Sequence, residues 1–472
     1  MKKYLSHPLF EIISEAASEL NVKVYVIGGW VRDLFLKRDS KDIDIVVVGN
    51  GIQLAENLKN KFPSKHKLSV FKNFGTAMLK WDEWEIEFVG ARKESYRQES
   101  RKPIVENASL EEDISRRDFT INTLAISLNK DSYGKLLDVY CGVEDINKKV
   151  LKTPLDPDIT FSDDPLRMLR AVRFASQLSF SIDNKSLKAI KRNAERIKIV
   201  AMERVMDEFN KIMLSEKPSI GLKLLRNTGL LKHFFPELDK LHGIDSVNGK
   251  AHKDNFLHTL KVLDNLSELS DDLWIRWAAL LHDIAKPDTK KFDNEVGWSF
   301  HGHEYLGHLM VEKIFRNLKL PLNEKMKYVQ KLVLLHLRPI ALSESDVTDS
   351  AVRRLLFEAG DDIDDLMMLC EADITSANPL KVKKYLKNFE QVRLKLKEIE
   401  EKDKIRNWQP PISGEDIMSA FNVGPSREVG MIKKAIREAI LDGKILNSRK
   451  DALEFMFQEG EKLGLTRAEN SH

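Results

Sequence analysis

The segment Lys41-Asp42-Ile43-Asp44-Ile45-Val46-Val47-Val48 constrains this chain more than any other. Its β-branched run reads as a strand. The strand period of two then puts Asp42 and Asp44 on one face and Ile43, Ile45 and Val47 on the other. Two like charges standing together are costly to bury unless a cation or a partner neutralises them. The pair is therefore either a solvated strand end or a Mg²⁺ site made of hard oxygen ligands. Upstream, in Tyr25-Val26-Ile27-Gly28-Gly29-Trp30-Val31-Arg32-Asp33, a glycine pair lies between an expected strand and an expected helix. Backbone N–H groups and a helix N-terminus can approach phosphate oxygens there, although a tight connection alone would also explain the glycines.

The flanking pattern supports an α/β or α+β head over residues 1–150. Leu9 to Leu20 and Val31 to Leu36 read as helices, Val22 to Ile27 and Ile43 to Val48 as strands. A hairpin of Thr76 to Trp81 and Trp84 to Val89 turns at Asp82-Glu83 and carries Glu85 and Glu87. Glu87 is a candidate third carboxylate, with an exposed strand face as its alternative. Lys93 to Asn107 reads as a mobile polar loop. From Asp164 the β signal fades. Asp164-Pro165 opens a helix, and Pro236, Pro287, Pro321, Pro339 and Pro379 punctuate others. Lys381 to Lys402 reads as a solvated amphipathic helix, and Pro410-Pro411 marks a joint before a final helical segment.

For 472 residues this gives four expected parts: a head 1–150, a helical neck 151–245, a second helical domain 246–395 and a helical tail 396–472. With only Cys141 and Cys370 there is neither a disulfide framework nor a zinc ribbon. No apolar run approaches the roughly 20 residues that span a bilayer, and the first 20 residues lack a signal-peptide pattern. A cytoplasmic protein without a membrane partner is expected. The formal charge of +3 means that a polyanion must be met by local basic patches. Oligomeric state is not legible.

GGWVRD followed by DIDIVVV resembles the nucleotidyltransferase signature of the class II tRNA CCA-adding enzymes and bacterial poly(A) polymerases. Further motifs follow in that family's order. Arg116 to Asn122 is similar to RRDFTIN, Leu137 to Gly142 to the flexible D-x-[YF]-x-G type segment, and Glu203-Arg204-Val205 to the neck's ER helix. Asp163-Asp164-Pro165-Leu166-Arg167 resembles EDxxR, whose Asp and Arg bond the incoming base in place of a template; Asp163 stands where Glu is usual. The resemblance implies a polymerase β-like mixed-sheet head followed by all-α parts. It implies Asp42 and Asp44 as catalytic Mg²⁺ ligands, to which the hairpin's alternation adds Glu87 as the candidate third catalytic carboxylate. It also implies Gly28, Gly29, Arg32 and Arg117 near the triphosphate, and Asp164 with Arg167 at the base. Arg170 and Arg173, on the same helical flank, are two further cations for the triphosphate, or else part of a solvated basic face. The expected activity is template-independent addition of CMP and AMP to the tRNA 3′ end from CTP and ATP. Tail or partial addition by a poly(A), CC- or A-adding relative shares the motifs.

Nine of the 12 histidines lie between His233 and His336. His282-Asp283 ends an apolar helix, with His258 upstream and Asp373 downstream, and imidazole with carboxylate suits a divalent metal. The set resembles the HD superfamily of metal-dependent phosphohydrolases. That resemblance implies His258, His282, Asp283 and Asp373 as ligands and His303 and His336 as additional ones; Ala285 stands where Gly is common. Two roles remain open for this domain: hydrolysis of RNA ends, with the head reduced to RNA binding in the extreme case, or an RNA-facing scaffold.

Overall fold

The structure, a computed structural model, describes residues 1–62, 67–72, 75–97, 100–344, 348–376, 378–403, 405–406 and 408–468. The protein divides into two compact units, Met1–Asp239 and Lys240–His472.

The first unit opens with α1 (Pro8–Glu19), which has His7 as N-cap and Pro8 in its first turn. Leu9, Phe10, Ile13, Ala16 and Ala17 line its buried stripe. Then follow β1 (Lys23–Ile27), α2 (Gly29–Leu36), β2 (Asp42–Val48) and α3 (Gly51–Lys61). Next come β3 (Lys67–Phe71), β4 (Thr76–Trp81), β5 (Trp84–Gly90), β6 (Arg92–Arg97), β7 (Ser100–Asn107), α4 (Leu110–Ser115), β8 (Ala125–Ser127), β9 (Leu136–Leu137) and α5 (Gly142–Lys148). A seven-stranded sheet has the order β3-β4-β5-β2-β1-β8-β9. It is mixed, because β2 and β5 run parallel while β1 pairs β2, and β4 pairs β5, antiparallel. On β2 the side chains of Ile43, Ile45 and Val47 are fully buried, as period two requires.

Residues 93–107 differ from the sequence reading. They form not a loop but the antiparallel pair β6–β7, with Arg92 opposite Asn107; residues 98–99 lie outside the described ones. Backbone pairing makes this ribbon, and its sequence lacks the apolar–polar alternation that announces a strand.

Helices α6 (Pro157–Asp163) and α7 (Leu166–Leu178) lead the helical part of this unit, where a two-residue parallel bridge, Val150–Leu151 with Ser181–Ile182, is the β remnant. The helix starts one residue later than the Asp-Pro reading expects, with Pro165 as N-cap and Asp164 ending α6, although the Asp164 carboxylate still accepts from the Leu166 N–H at 3.2 Å.

The second unit is helical around a core that includes Trp277, Phe256 and Phe315. Two small hairpins interrupt it, Ser246–Val247 with Lys250–Ala251 and Lys291–Asp293 with Gly297–Ser299. Its last helices are tied back by the Arg354 pairs to Glu438 and Asp442 and by Arg353 to Asp403. Among the described residues, no helix is long and apolar enough to cross a membrane.

Candidate active site and metal centre

The head site forms where β1 ends and β2 and β5 begin. Register places Ile27 opposite Asp44 across the β1–β2 pair, and Asp44 beside Glu87, Asp42 beside Glu85, across β2–β5. The backbone leaves β1 directly into Gly28, whose φ of +83° is a conformation L side chains rarely adopt. A Cβ there would lie 3.0 Å from Asp44 Oδ2 and 3.2 Å from Arg117 Nη1. The glycine turn, the strand carboxylate and a guanidinium therefore meet at one point. Gly28→Ala should cost about 1–3 kcal/mol of stability from backbone strain, read as a lower urea midpoint, because its methyl must also displace Asp44 or Arg117.

Burial raises the Asp44 carboxyl above its ordinary value; Arg117 opposes this, and Glu87 and Asp42 add to it. A buried carboxylate beside two others is the condition a divalent cation relieves.

Asp113, on α4 and fully buried, positions Arg117. Its Oδ1 accepts from Arg116 Nη2 at 2.5 Å, and its Oδ2 from Arg117 Nε and Nη2 at 3.3 and 3.2 Å. Burial penalises this charge, yet the two guanidiniums hold its carboxyl below the ordinary value. Arg32, on α2, is chelated by Asp33 at 2.9 and 3.0 Å and donates to Asn122 Oδ1 at 2.8 Å. Asp118 accepts from Arg170 Nε at 2.7 Å, and Arg173 pairs with buried Glu208 at 2.8 Å. Three guanidiniums, those of Arg32, Arg170 and Arg173, lie 5.1, 5.5 and 4.2 Å from the Phe174 ring centre. The structure thus commits Arg170 and Arg173 to carboxylates. Arg167 differs: it is only 8% exposed, Asp118 acts on it electrostatically, and its guanidinium has no hydrogen bond or ion pair among the described residues.

The Leu137–Gly142 motif supports this site structurally. Asp138 accepts from the backbone N–H groups of Gly142 and Val143 at 2.6 and 3.1 Å, capping α5. A Cβ on Gly142 would fall 2.4 Å from the Thr120 carbonyl oxygen, so only glycine lets α5 dock on the RRDFTIN turn.

The histidine cluster lies wholly in the second unit. His258 comes from the helix Asn255–Ser267, His282 and Asp283 from the end of Leu273–Leu281, and His303 from the start of His303–Asn317. His336 follows Glu324–Leu335, and Asp373 follows Ile363–Ala372. Four Nδ1 atoms are held: His282, His303 and His336 donate to the carbonyls of Ala279, Phe300 and Val333 at 2.7–2.8 Å, and His258 meets Thr375 Oγ1 at 2.9 Å. In the neutral ring each donating Nδ1–H leaves a bare lone pair on Nε2. Those of His282, His303 and His336 are buried without a hydrogen-bond partner, 3.2, 3.3 and 4.0 Å from Asp283. Ring nitrogens facing a carboxylate call for a cation between them, a proton or a metal ion, and anchored Nδ1 atoms are the usual support of metal-bound imidazoles.

The atoms fall into two sets sharing Asp283. His258 and His282 face Oδ2, while His303 and His336 face Oδ1. Asp373 lies 2.9 Å from His258, and Lys286 Nζ lies 2.6 Å from Asp283 Oδ2. Burial works against protonated imidazoles here, but Asp283 and Asp373 push His282 up to about 9, whereas burial, with His282 adding to it, pulls His336 down to about 4. One added positive charge is welcomed on the Oδ2 side. A neutral ligand is kept on the Oδ1 side.

The model of the Poly A polymerase head domain matches residues 24–152, that of the probable RNA- and SrmB-binding site of polymerase A matches 179–241, and that of the HD domain matches 255–378. The A-adding tRNA nucleotidyltransferase of Deinococcus radiodurans is 31% identical over 352 residues, covering 76% of that protein and 71% of this one. This protein belongs to the tRNA nucleotidyltransferase family. The multifunctional CCA protein of Shewanella frigidimarina is 34% identical over 70% of its own length and 64% of the present sequence. The A-adding tRNA nucleotidyltransferase of Aquifex aeolicus is 31% identical over 70% of the present sequence, which spans only 42% of that longer relative. In fold, the protein is similar to the Thermotoga maritima CCA-adding enzyme complexed with tRNA (22% identity, 97% of this protein and 95% of that one, TM-score 0.59). It is also similar to a CCA-adding enzyme in complex with ATP (22% identity, 98% and 96%, TM-score 0.63).

The structure brings Asp42, Asp44, Glu87, Gly28 and Arg117 of the expected transferase residues to one place, and it gathers all six histidine-cluster residues. Several supporting residues escaped the sequence reading: Asp113, Asn122, Phe174, Glu208 and Lys286. Two of them had a signal: Asn122 stands in the RRDFTIN-like motif, and Asp113 has the i+3 and i+4 spacing to Arg116 and Arg117.

Proposed function

We propose that the first unit adds CMP and AMP to the tRNA 3′ end, using CTP and ATP. The observation that carries this is Arg167, a largely buried residue whose guanidinium has no bonded partner among the described residues and stays open to solvent, on a helix whose neighbouring arginines are engaged, in the same unit as a carboxylate trio and a glycine turn. Asp42, Asp44 and Glu87 would hold Mg²⁺, which when bound supplies triphosphate neutralisation and activation of the attacking 3′-hydroxyl. The Gly28-Gly29 turn offers N–H groups at the start of α2, and Arg117 Nη1 reaches the same point. Asp164 accepts and Arg167 donates, a pairing that reads a base edge bearing both acceptors and donors. The 3′-hydroxyl attacks the α-phosphate and pyrophosphate leaves. The exposed lysines of Lys381 to Lys387 would meet the tRNA backbone.

The test is incubation of pure protein with tRNA lacking CCA and with each labelled nucleotide separately. CMP incorporation followed by one AMP supports the proposal. AMP added only to tRNA already ending in CC would identify an A-adding enzyme, as the Aquifex and Deinococcus relatives are named; long A tails would identify a poly(A) polymerase. Arg167→Ala should lower the discrimination of CTP and ATP against UTP and GTP by at least about tenfold, since one good base contact is worth roughly 1–3 kcal/mol. Weaker binding with unchanged discrimination would reassign Arg167 to a phosphate.

A second reading concerns the histidine cluster, favoured by its three orphaned Nε2 atoms. We propose that His258, His282 and Asp373 would hold one divalent ion and His303 with His336 a second, with Asp283 common to both sets. Such ions would supply Lewis-acid polarisation and water activation for hydrolysing RNA phosphoester ends.

A further inference from the structure

Between the phosphate end and the base-reading end of the head site runs a single buried relay of side chains. Arg32 Nη1, on α2, donates to Asn122 Oδ1 at 2.8 Å. Asn122 Nδ2 donates to Asp118 Oδ1 at 3.0 Å, and Asp118 Oδ2 accepts from Arg170 on α7 at 2.7 Å. Both middle members are buried, Asn122 to 6% and Asp118 to 7% exposure. Each terminal guanidinium also leans on the same Phe174 ring. Arg38 at the end of α2 donates to the Gln177 carbonyl at 3.1 Å, a second tie between the two helices on the exposed side.

The chemistry of the middle link is restrictive. It must accept from a guanidinium and donate to a carboxylate at once. An amide does both. A carboxylate would satisfy Arg32 but repel Asp118, a hydroxyl is too short to reach both, and an apolar side chain leaves a buried acceptor and donor unmade. Asp118 is correspondingly well served: burial opposes its charge, yet Arg170, Asn122 and Arg167 hold it ionised far below the ordinary carboxylate range. Arg167, one turn before Arg170 on α7, is coupled electrostatically to the same carboxylate. The rotation of α7 that aims Arg167 is thus set through Asp118, and the position of Asp118 is set through Asn122 by Arg32 on the glycine-turn helix.

We infer that Asn122 is a positioning residue for nucleotide choice: it locks the base-reading helix to the phosphate-binding helix, so that a base is read only by a site correctly seated on its triphosphate. The inference rests on the nucleotidyltransferase reading of the head. Asn122→Asp, which keeps size, and Asn122→Ala should each lower discrimination of CTP and ATP against UTP and GTP by about tenfold to a hundredfold. Arg170→Gln cuts the same relay at another link, so the double variant Asn122→Ala with Arg170→Gln should lose no more discrimination than the worse single one. Discrimination unchanged in Asn122 variants that melt like the wild type would overturn the inference. So would losses that simply add in the double variant. Should Asn122→Ala fail to fold, Asn122→Asp carries the comparison. Equilibrium binding of the four nucleotides by the full-length protein is read in parallel. Failure of the wild type to extend any tRNA would defeat the transferase reading, while the binding ratios would still decide the Asn122 link.

Discussion

Asp44→Asn is expected to lower nucleotide incorporation by about a thousandfold or more, since losing a metal ligand at the reacting phosphate removes roughly 4 kcal/mol of transition-state stabilisation. Binding of tRNA should stay near the wild-type level, because Asp44 lies on the sheet beside Glu87 and Gly28. Stability should move the other way. Folding raises the Asp44 carboxyl, chiefly by burial. A group whose folded value lies above its unfolded one takes stability away once pH exceeds the folded value, and takes none below the unfolded value. Neutral Asn escapes that cost at neutral pH. In chelator the variant should therefore melt no lower than the wild type; adding Mg²⁺ should raise the wild-type midpoint and leave the variant's unchanged. Incorporation retained at a tenth of wild type, or an equal Mg²⁺ shift in both proteins, would remove Asp44 from the metal site.

How much of this was legible depended on whether the signal was local. The β2 carboxylates follow from strand period alone, and β4–β5 from two β-branched or aromatic runs around Asp82-Glu83; both stand where expected. The histidine cluster was visible as a local excess of one residue type. What the sequence withheld is pairing across distance. The arginines of α7 are visible as a periodic flank, but nothing local says that Asp118 takes Arg170 from 52 residues away, or that Glu208 takes Arg173. Only with those partners filled in does Arg167 emerge as the uncommitted guanidinium of that flank. Likewise, the division of the histidines between the two oxygens of Asp283 depends on helix packing, which spacing does not encode.

That division makes the metal content of the second unit a sharp test. Asp283→Asn should abolish high-affinity divalent binding, because both ligand sets use this carboxylate. His303→Gln should remove one ion and His258→Gln the other, each leaving about half of the wild-type metal. Asn suits Asp283 better than Ala, since both remove the charge but the amide oxygen of Asn can still accept from Lys286 Nζ, which lies 2.6 Å from Asp283 Oδ2. Metal-dependent release of phosphate from 2′,3′-cyclic or 3′-phosphate RNA ends should vanish with His282→Gln/Asp283→Asn. Nucleotide addition with Mg²⁺ should persist, because Asp42, Asp44 and Glu87 all belong to the other compact unit. Equal metal loss in His258→Gln and in Asp283→Asn would reduce the cluster to one ion. A wild type that takes up no transition metal and releases no phosphate would make the cluster a scaffold. Addition lost in a double variant that melts normally would mean that the second unit helps to place the tRNA.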